Sequence, residues 1–327
     1  MMLCKGCYKE IVDGYCLSCR KKLFGKIKIA SVLDFDAPKA ENLGIYQEYS
    51  KQLSVSGVQL KYSLTMENHR LELSKKDRRY ILKPIPPAQQ LKDLADVPEN
   101  EHLTMQIAEQ VFGIKTAANA LIYFKDGLPA YITKRFDVAN DGKKILQEDF
   151  AQLSNRTKKT HGETYKYDGS YEEIGSLIIR FVPAYMPALE QFFTMIIFNY
   201  VVSNGDAHLK NFSLTTDENG ESRLTPAYDL LSTVLHTPME SDVALNLYPG
   251  DIHSAFYSRY GYYGKPNFQE LAIKLGMIPK RADRIIDSFL PKQNLVENFI
   301  RNSFLSEPVK ERYRLNVDQK LKRLAHL

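Results

Sequence analysis

The sequence lacks the features that would assign it to several special classes of protein. Its charges nearly balance, since 44 Lys and Arg residues stand against 39 Asp and Glu residues and leave a formal net charge of +5. So small an excess on 327 residues does not indicate a nucleic-acid-binding protein. No apolar run approaches the ~20 residues that span a bilayer. The longest run, residues 192–202, is interrupted by Asn199 and Tyr200.

Internal repeats, low-complexity segments and an apolar signal peptide are missing as well. Cys4 and Lys5 stand where a signal peptide would need its apolar stretch. Apolar residues make up 44% and charged residues 25%, as in an ordinary globular protein. We therefore expect a soluble, cytoplasmic protein with no membrane contact, built as one large two-lobed domain or as two modest domains.

Cysteine is absent after residue 19, and the few cysteines before it form two Cys-x-x-Cys pairs. The four residues are Cys4, Cys7, Cys16 and Cys19. Each pair offers two thiolates to one tetrahedral Zn²⁺, and a turn at residues 13–14 can fold one pair onto the other. The alternatives are disulfides, which a reducing cytosol disfavours, and a redox pair, which needs only one such motif. The pattern favours a structural zinc knuckle over residues 1–24, because so short a segment has too little apolar surface to fold without metal.

The chain from residue 25 to about residue 135 has mainly strand-like patterns. Alternating apolar residues predict antiparallel strands, among them a hairpin over residues 121–133 that turns at residues 125–127. One amphipathic helix is predicted over residues 100–112. We expect these residues to form a strand-rich lobe.

The chain from residue 136 to 327 changes character and becomes mainly helical. The first predicted helix covers residues 148–153, and residues 155–170 are expected to be a polar loop without regular structure. A second hairpin is predicted over residues 212–225. A strand-rich lobe joined to a helical lobe near residue 135 predicts a ligand cleft between them.

The strongest catalytic signal is Asp206, followed five residues later by Asn211 on a loop after an apolar helix. The hairpin after Asn211 returns the chain to Asp229, and a hairpin places its two ends side by side. We therefore expect Asn211 and Asp229 to approach each other. Amide and carboxylate oxygens suit a Mg²⁺ ion that carries the phosphates of a nucleotide. Asp206 would then orient and deprotonate an attacking hydroxyl, as phosphoryl transfer requires.

Two upstream features fit this chemistry. Lys83 ends a predicted strand, from which its amine can reach phosphates, and Glu101 on the next helix can hold it by an ion pair. The Ser-x-Ser-Gly-x-Gln turn at residues 54–59 stands where a phosphate-covering loop is expected. Taken singly, each residue has another explanation. Lys83 can be a solvated side chain, and Glu101 can interact with the first turn of its own helix. His208 can be a structural histidine. The order of these features along the chain is the order that a kinase requires.

Several segments resemble the HipA family of bacterial serine/threonine kinase toxins, over residues 50 to about 235. They are Ser-Val-Ser-Gly-Val-Gln-Leu-Lys, Ile-Leu-Lys-Pro, Asn-Glu-His-Leu, Thr-Lys-Arg-Phe-Asp, Gln-Glu-Asp-Phe-Ala-Gln, Asn-Gly-Asp-Ala-His-Leu-Lys-Asn-Phe-Ser and Ala-Tyr-Asp-Leu-Leu-Ser. The resemblance implies a protein-kinase-like, bilobal α+β fold with a strand-rich N-lobe and a helical C-lobe.

The resemblance also implies ATP and Mg²⁺ as cofactors, Asp206 as catalytic base, and Asn211 and Asp229 as magnesium ligands. In the family, the serine matching Ser54 is autophosphorylated, and short members carry a second serine like Ser56. The implied nucleotide contacts are Ser56, Gly57, Val58, Gln59, Lys61, Lys83, Lys134, Arg135, Phe136, His208, Lys210 and Tyr228.

The partners that the resemblance implies are proteins. Members phosphorylate protein hydroxyls, with aminoacyl-tRNA synthetases among their targets. They are usually held in check by a helix-turn-helix antitoxin, so that they meet DNA only indirectly. Long members carry a further N-terminal subdomain of about a hundred residues. This chain has only the knuckle before the kinase core, and it is similar to the short HipT-type toxins, whose missing subdomain is a separate small protein.

Two other functions stay open at this point. A small-molecule kinase would share the arrangement of Asp206, Asn211 and Asp229, but it would not need the Ser-x-Ser-Gly-x-Gln loop. A non-catalytic regulator led by the zinc knuckle would bind a partner without transferring phosphate. The intact set of three oxygen-bearing residues favours an enzyme over such a regulator.

Overall fold

The structure is a computed structural model that describes residues 2–39, 50–51, 60–75, 78–87, 91–139 and 141–326. These residues form two lobes, one rich in strands and one mainly helical. Within these ranges, no helix combines the length and the apolar character that crossing a membrane requires. Residues 52–59, on which the sequence predicts a phosphate-covering loop, lie outside the described residues.

The N-terminal segment forms a small unit, called the knuckle here and comprising residues 2–24. Its elements are β1 (Met2–Leu3), β2 (Glu10–Ile11) and α1 (Leu17–Phe24). The two strands pair antiparallel, and α1 ends at Gly25, whose φ of 63° is the left-handed conformation that suits a helix end.

The N-lobe is built on an antiparallel sheet of six strands. They are β3 (Ser50–Lys51), β4 (Lys61–Glu67), β5 (Arg70–Leu73), β6 (Tyr80–Pro84), β7 (Asn119–Tyr123) and β8 (Pro129–Lys134). Their order is β3-β4-β6-β8-β7, and β5 pairs with β4. Successive side chains of β6 point to opposite faces. Tyr80 and Leu82 therefore join the apolar cluster that includes the knuckle, whereas Lys83 faces the other side of the sheet.

The knuckle and the segment after it cover the outer edge of this sheet, strand β7. The Leu121 N–H donates to the Lys5 carbonyl (2.8 Å), and the Tyr15 hydroxyl donates to the Leu121 carbonyl (2.7 Å). Further along, the Tyr123 N–H donates to the Ser31 carbonyl (2.9 Å). An uncovered edge strand would expose unpaired backbone groups, so this segment protects the sheet as well as carrying the cysteines.

A long helix, α2 (Val97–Gln110), lies between the sheet and the C-lobe. The sequence predicted an amphipathic helix over residues 100–112; the helix instead begins earlier, with Pro98 in its first turn, and residues 97–108 are all buried. Its polar side chains are buried because the C-lobe bonds them. The Asn100 amide bonds the backbone of Ser232 (2.9 and 3.0 Å), and the Thr104 hydroxyl bonds that of Tyr313 (2.8 Å).

The C-lobe packs its helices around α6, which is apolar on nearly every side. The helices are α3 (Phe150–Leu153), α4 (Lys158–His161), α5 (Tyr171–Phe181), α6 (Tyr185–Val201), α7 (Ala255–Tyr260), α8 (Lys265–Lys274), α9 (Pro279–Asp287), α10 (Gln293–Arg301) and α11 (Glu307–Ala325). A small antiparallel sheet of β9 (Leu146–Asp149), β10 (Ser213–Thr216) and β11 (Ser222–Leu224) completes the lobe.

Two predictions for the C-lobe were wrong in detail. Residues 148–153 do not form one helix: Glu148 and Asp149 end strand β9, and Asp149 caps the short helix that follows. Strand β9 exists because it pairs with β10, more than sixty residues away, and local periodicity does not report such a partner. Residues 155–170, expected to be irregular, contain α4 and a 3₁₀ turn at Tyr165–Tyr167.

Candidate active site

The site is organised around Lys83, whose side chain is only 2% exposed. Strand β6 aims this ammonium away from the knuckle, where it forms ion pairs with Glu101 of α2 and with Asp229 (2.5 Å). The ring of Tyr131, opposite Lys83 on β8, has its centre 5.2 Å from the amine. One lysine thus joins the N-lobe sheet, the helix α2 and the C-lobe segment after β11.

Asp229 lies between two lysines of neighbouring strands. Its second oxygen accepts from Lys61 of β4 (2.9 Å), while the first accepts from Lys83. Burial by itself would raise the pKa of the Asp229 carboxyl, but the charges of Lys61 and Lys83 outweigh burial and hold the pKa far below its usual range. The same attraction, against the opposing effect of burial, keeps the pKa of Lys83 above its ordinary value. Asp229 and Lys83 are therefore charged near neutral pH.

The loop that follows α6 carries Asp206. The Gly205 N–H donates to the Thr233 hydroxyl (2.8 Å), and a Cβ at residue 205 would lie 2.5 Å from Cγ of Glu240, so only glycine fits this close approach. The Asn204 side chain accepts from the Asp206 N–H (3.3 Å). These contacts fix the backbone that leads into Asp206, whose carboxylate is one-third exposed.

Three side chains converge on a single oxygen of Asp206, Oδ1. The Tyr167 hydroxyl donates to it, the Lys166 amine lies 3.6 Å away, and Nε2 of His208 lies 3.7 Å away. Burial lowers the pKa of His208 to about 4, although the charge of Asp206 opposes the shift. His208 is therefore neutral near pH 7, and the nearby positive charge comes from Lys166.

The 3₁₀ turn Leu209–Asn211 places the other side chains of the loop. Oδ1 of Asn211 accepts from the His208 N–H (3.2 Å), and the Lys210 amine pairs with Asp149 (2.6 Å). The Tyr228 hydroxyl donates to the Lys210 carbonyl (2.9 Å), which holds the residue before Asp229 against this loop. The end of the second hairpin therefore does return to the loop that carries Asp206.

The connection between the lobes contributes an aromatic pair. The ring of Phe136 lies 5.6 Å from that of Tyr228, centre to centre. The guanidinium of Arg135 is turned to Asp137 (2.8 Å), and the Lys134 N–H donates to the Ala118 carbonyl (2.8 Å). The side chain of Arg135 is thus already engaged in an ion pair.

The sequence-predicted residues fall into three groups. Lys61, Lys83, Glu101 and Asp229 form one ion-pair network, and the segment His208–Asn211 is bonded to Tyr228. Asp206 belongs to a separate cluster with Lys166, Tyr167 and His208. The residues predicted on the phosphate-covering loop, Ser54, Ser56, Gly57, Val58 and Gln59, lie outside the described residues.

Sequence reasoning missed Lys166 and Tyr167. Both lie closer to Oδ1 of Asp206 than the imidazole of His208 does. They stand in the polar segment 155–170, which has no apolar period that would have drawn attention to it. Their only sequence signal is an aromatic residue next to a lysine, which is common in polar loops.

The four cysteine sulfurs form a second candidate site, in which all ligand atoms lie within 4.8 Å of one another. Each cysteine is a free thiol, so the disulfide alternative does not apply. The Cys4 sulfur accepts from the backbone N–H groups of Gly6 (3.4 Å) and Cys16 (3.1 Å). Hydrogen bonds from Cys19 and Cys7 hold the pKa of Cys4 well below its usual value, and the bond to Cys4 raises the pKa of Cys19. This donor set fits one tetrahedral metal ion.

A comparison with protein-family models matches residues 53–294 to the HipA-like C-terminal domain. Among curated proteins, one of Haemophilus influenzae named "Putative kinase" is 25% identical over 288 residues, which are 83% of this chain and 81% of that protein. A Sinorhizobium fredii protein, "Putative kinase Y4dM", is 31% identical over 230 residues, which are 64% of this chain and 53% of that protein. The chain thus spans only about half the length of the Sinorhizobium relative.

Two solved structures share the fold. HipA of Shewanella oneidensis, crystallised with HipB and operator DNA, has a TM-score of 0.61 at 21% identity, over 88% of this chain and 71% of that one. The Helicobacter pylori proinflammatory kinase CtkA has a TM-score of 0.50 at 15% identity, over 81% of this chain and 90% of that one. The predicted fold class, a kinase-like bilobal α+β fold preceded by a cluster of four cysteines, is confirmed.

The ion pairs of Asp229 predict a loss of stability in acid. The pKa of Asp229 is lower in the folded protein than the ~3.9 of an unfolded aspartate. The ionised carboxylate therefore stabilises the fold above that pH, and this contribution is lost as the pH falls through and below it. Free energies of unfolding from urea titrations should differ most between wild type and Asp229→Asn at neutral pH, and the difference should shrink towards about pH 3.

The exposed carboxylate Glu218, in the turn of the second hairpin, provides the matched control variant Glu218→Gln. A difference between wild type and Asp229→Asn that stays constant from neutral pH into acid would contradict the ion-pair assignment.

Proposed function

The chain belongs to the HipA-like C-terminal domain family, and on that premise we propose that it is an ATP-dependent protein kinase that phosphorylates serine or threonine hydroxyls. The observation that carries the proposal is the network in which Lys83 pairs with both Glu101 and Asp229. A strand lysine held by a helix glutamate, next to a metal-binding aspartate, is the arrangement that phosphoryl transfer uses in kinases.

The proposed kinase has three parts: the knuckle at residues 1–24, an N-lobe at residues 25–135 and a C-lobe at residues 136–327. The nucleotide would lie between the lobes. Phe136 and Tyr228 offer it adjacent aromatic rings, beside the backbone of Lys134 and Arg135. The segment 56–59 is proposed to cover the phosphates.

The residues around Asp229 fit a magnesium–nucleotide complex chemically. Asn211 and Asp229 provide the hard oxygen ligands, and Lys61, Lys83 and Lys210 provide cations for phosphate oxygens. When bound, ATP with Mg²⁺ supplies the phosphoryl group and neutralises its charge. The chain contributes the positions of these groups, which the ion pairs fix in advance.

Asp206 is proposed as the catalytic base. Its carboxylate is partly exposed, so a protein hydroxyl can reach it from solvent. The hydroxyl would donate its proton to Asp206 while its oxygen attacks the phosphoryl group. The neighbouring imidazole of His208 is neutral, so it adds no positive charge beside the carboxylate of Asp206.

We further propose a toxin role in a toxin–antitoxin system in the cytoplasm, with aminoacyl-tRNA synthetases as the class of protein substrate. The fold shared with a HipA that binds HipB on operator DNA supports a helix-turn-helix antitoxin as partner, and DNA contact only through it. A small separate protein that corresponds to the N-terminal subdomain of long family members is the second proposed partner. Autophosphorylation at Ser54 and Ser56 would add negative charge to the loop, which repels ATP and switches the kinase off.

The variant Asp206→Asn tests the enzyme assignment. It should abolish phosphate transfer, because it removes the base, and should leave the melting temperature nearly unchanged, because the carboxylate is partly exposed. Phosphoproteomics after brief expression of each protein, together with intact mass after incubation with Mg²⁺-ATP, measures the transfer. Phosphosites that depend on Asp206 and fall on protein serines or threonines are the expected result.

A fully active Asp206→Asn protein would refute the mechanism. Transfer to metabolites in place of proteins would favour a small-molecule kinase. Ser54→Ala/Ser56→Ala should remove the self-phosphorylation, and a doubly substituted protein that still gains the same phosphate would contradict the inhibitory switch.

We propose a single structural zinc ion for the cysteine cluster. Cys4→Ser should lose the metal and lower the melting temperature, because Cys4 is a buried ligand whose loss opens the tetrahedral site. Zinc content is measured by release of the metal to a coloured chelator, and the melting temperature by calorimetry. Ser18→Ala, at an exposed position of α1, is the control variant. Equal melting temperatures for zinc-loaded and zinc-free protein would argue against a structural metal.

A further inference from the structure

The hydroxyl of Tyr167 already occupies a position that an acceptor hydroxyl would need. It donates to Oδ1 of Asp206, the oxygen that is also nearest to Lys166 and His208. A phosphoacceptor has to donate a hydrogen bond to the Asp206 carboxylate before its proton can be removed. Tyr167 and an incoming substrate therefore compete for this carboxylate.

The contacts of Tyr167 favour this position. Its ring meets the ring of His208 edge-on, with 5.2 Å between centres, and the Lys166 amine lies 4.7 Å from its ring centre. The segment around it is tied down at both ends. Arg156 holds Glu173 with two hydrogen bonds (2.6 and 2.9 Å), and the Tyr171 hydroxyl donates to the Ala207 carbonyl (2.9 Å).

Tyr167 itself stays accessible, with 38% of the residue exposed. Its hydroxyl can therefore swing towards solvent while the anchored ends of the segment remain in place. Lys166 differs, because it is buried beside Asp206 and keeps a positive charge next to the carboxylate when Tyr167 leaves.

We propose that Asp206, Lys166 and Tyr167 form the phosphoacceptor subsite, in which the Tyr167 hydroxyl holds the place of the acceptor hydroxyl until a substrate displaces it. The inference rests on the proposed kinase function and adds the residues that receive the acceptor. A protein hydroxyl enters only after the bond between Tyr167 and Asp206 is broken. Water, the smallest acceptor, meets the same obstacle.

The step at this subsite balances as an ordinary transfer. A bond forms between the acceptor oxygen and the γ-phosphorus, and the bond from the γ-phosphorus to the bridging oxygen breaks with its electron pair leaving on ADP. The acceptor proton goes to Asp206. With water as acceptor the products are ADP and inorganic phosphate, so ATP hydrolysis reports the opening of the subsite without knowledge of the protein substrate.

The test compares ATP hydrolysis by the full chain with Mg²⁺-ATP and no protein substrate. Tyr167→Phe keeps the ring but removes the competing hydroxyl, so the rate should rise about tenfold, which corresponds to about 1.4 kcal/mol of barrier. KM for ATP should stay unchanged, because Tyr167 acts on the acceptor side. The exposed tyrosine at the start of α6 gives the matched control Tyr185→Phe, which should hydrolyse ATP at the wild-type rate.

The outcomes separate this inference from the kinase proposal. Hydrolysis at the same rate in Tyr167→Phe and in Tyr167→Phe/Asp206→Asn would refute both. Wild-type hydrolysis above that of Asp206→Asn, with Tyr167→Phe equal to or slower than wild type, would refute the subsite alone. Phosphate found on Tyr167 by peptide mapping would also overturn it, because the residue would then be an acceptor and not a placeholder.

A second, independent observation concerns the contacts between the knuckle and α2. The Tyr8 hydroxyl bonds Nδ1 of His102 (2.8 Å), and Gln110 donates to the Cys7 carbonyl (3.3 Å). Lys22 pairs with Glu109 on the same helix. The knuckle therefore touches α2 along much of its length, from the residue after Glu101 to its last turn.

Tyr8 is the buried part of this contact. Its backbone φ of 62° is left-handed, a conformation that is uncommon for a residue other than glycine. The ring packs 4.9 Å from His102 and 5.5 Å from Phe304 of the C-lobe. His102 is neutral because burial lowers its pKa to about 3, so it can accept from the Tyr8 hydroxyl.

We infer that Tyr8 is a positioning residue that sets α2, and with it Glu101, against Lys83. The glutamate that holds Lys83 stands next to His102 on the helix. A shift of the helix at His102 therefore moves the carboxylate that fixes the phosphate-binding lysine. The knuckle thereby acts on the proposed nucleotide site through α2.

The knuckle offers a matched pair of variants. Tyr8→Phe removes the hydroxyl that bonds α2, and Tyr15→Phe removes the hydroxyl that bonds the backbone of Leu121 on β7 (2.7 Å). Titration calorimetry with Mg²⁺-ATP should show affinity about fivefold weaker for Tyr8→Phe and unchanged for Tyr15→Phe. Zinc content and melting temperature are measured on both proteins.

Equal losses of affinity in the two variants, or no loss in Tyr8→Phe, would refute the positioning role. Loss of zinc from Tyr8→Phe alone would also refute it, since the effect would then arise at the metal site. Failure of the wild-type protein to bind Mg²⁺-ATP would overturn the kinase proposal together with this inference.

Discussion

The buried ammonium group of Lys83 links the two lobes at the candidate site. Taking a charge out of water is costly unless it is paired, and a partner lost from such a pair leaves the other charge unpaired in the interior. Lys83 meets this requirement with carboxylates from two distant parts of the chain, Glu101 and Asp229. The strand, the helix and the C-lobe segment that carry these groups are thereby fixed relative to one another.

The two aspartates of the site have different surroundings, which separates their proposed roles. Asp229 lies between Lys61 and Lys83, and both of its carboxylate oxygens form ion pairs with these lysines. Asp206 is more exposed and meets a neutral phenol, a neutral imidazole and one lysine. A carboxylate in the second environment remains available to a proton donor, whereas one in the first does not.

Much of the fold could be predicted because its signals are local. The first hairpin, the second hairpin and the cysteine pairs each depend on residues within a short stretch of chain. The prediction for α2 was wrong about its environment, since Asn100 and Thr104 are buried against the C-lobe. The end of β9 was predicted to be helix because its pairing partner, β10, is remote in sequence. Polar residues that are buried by remote partners look, in the sequence alone, like surface residues.

The sequence by itself determined which chemical groups are present and in what order: four thiols in two pairs, a strand lysine, a helix glutamate, and then Asp206, Asn211 and Asp229. Only the tertiary structure decided which groups meet. It placed Tyr167 on Asp206 and Tyr8 on His102, contacts between segments that are 39 and 94 residues apart. The physical reason is that spacing along the chain encodes hydrogen bonds and periodicity over a few residues, whereas contacts between distant segments depend on how whole elements pack.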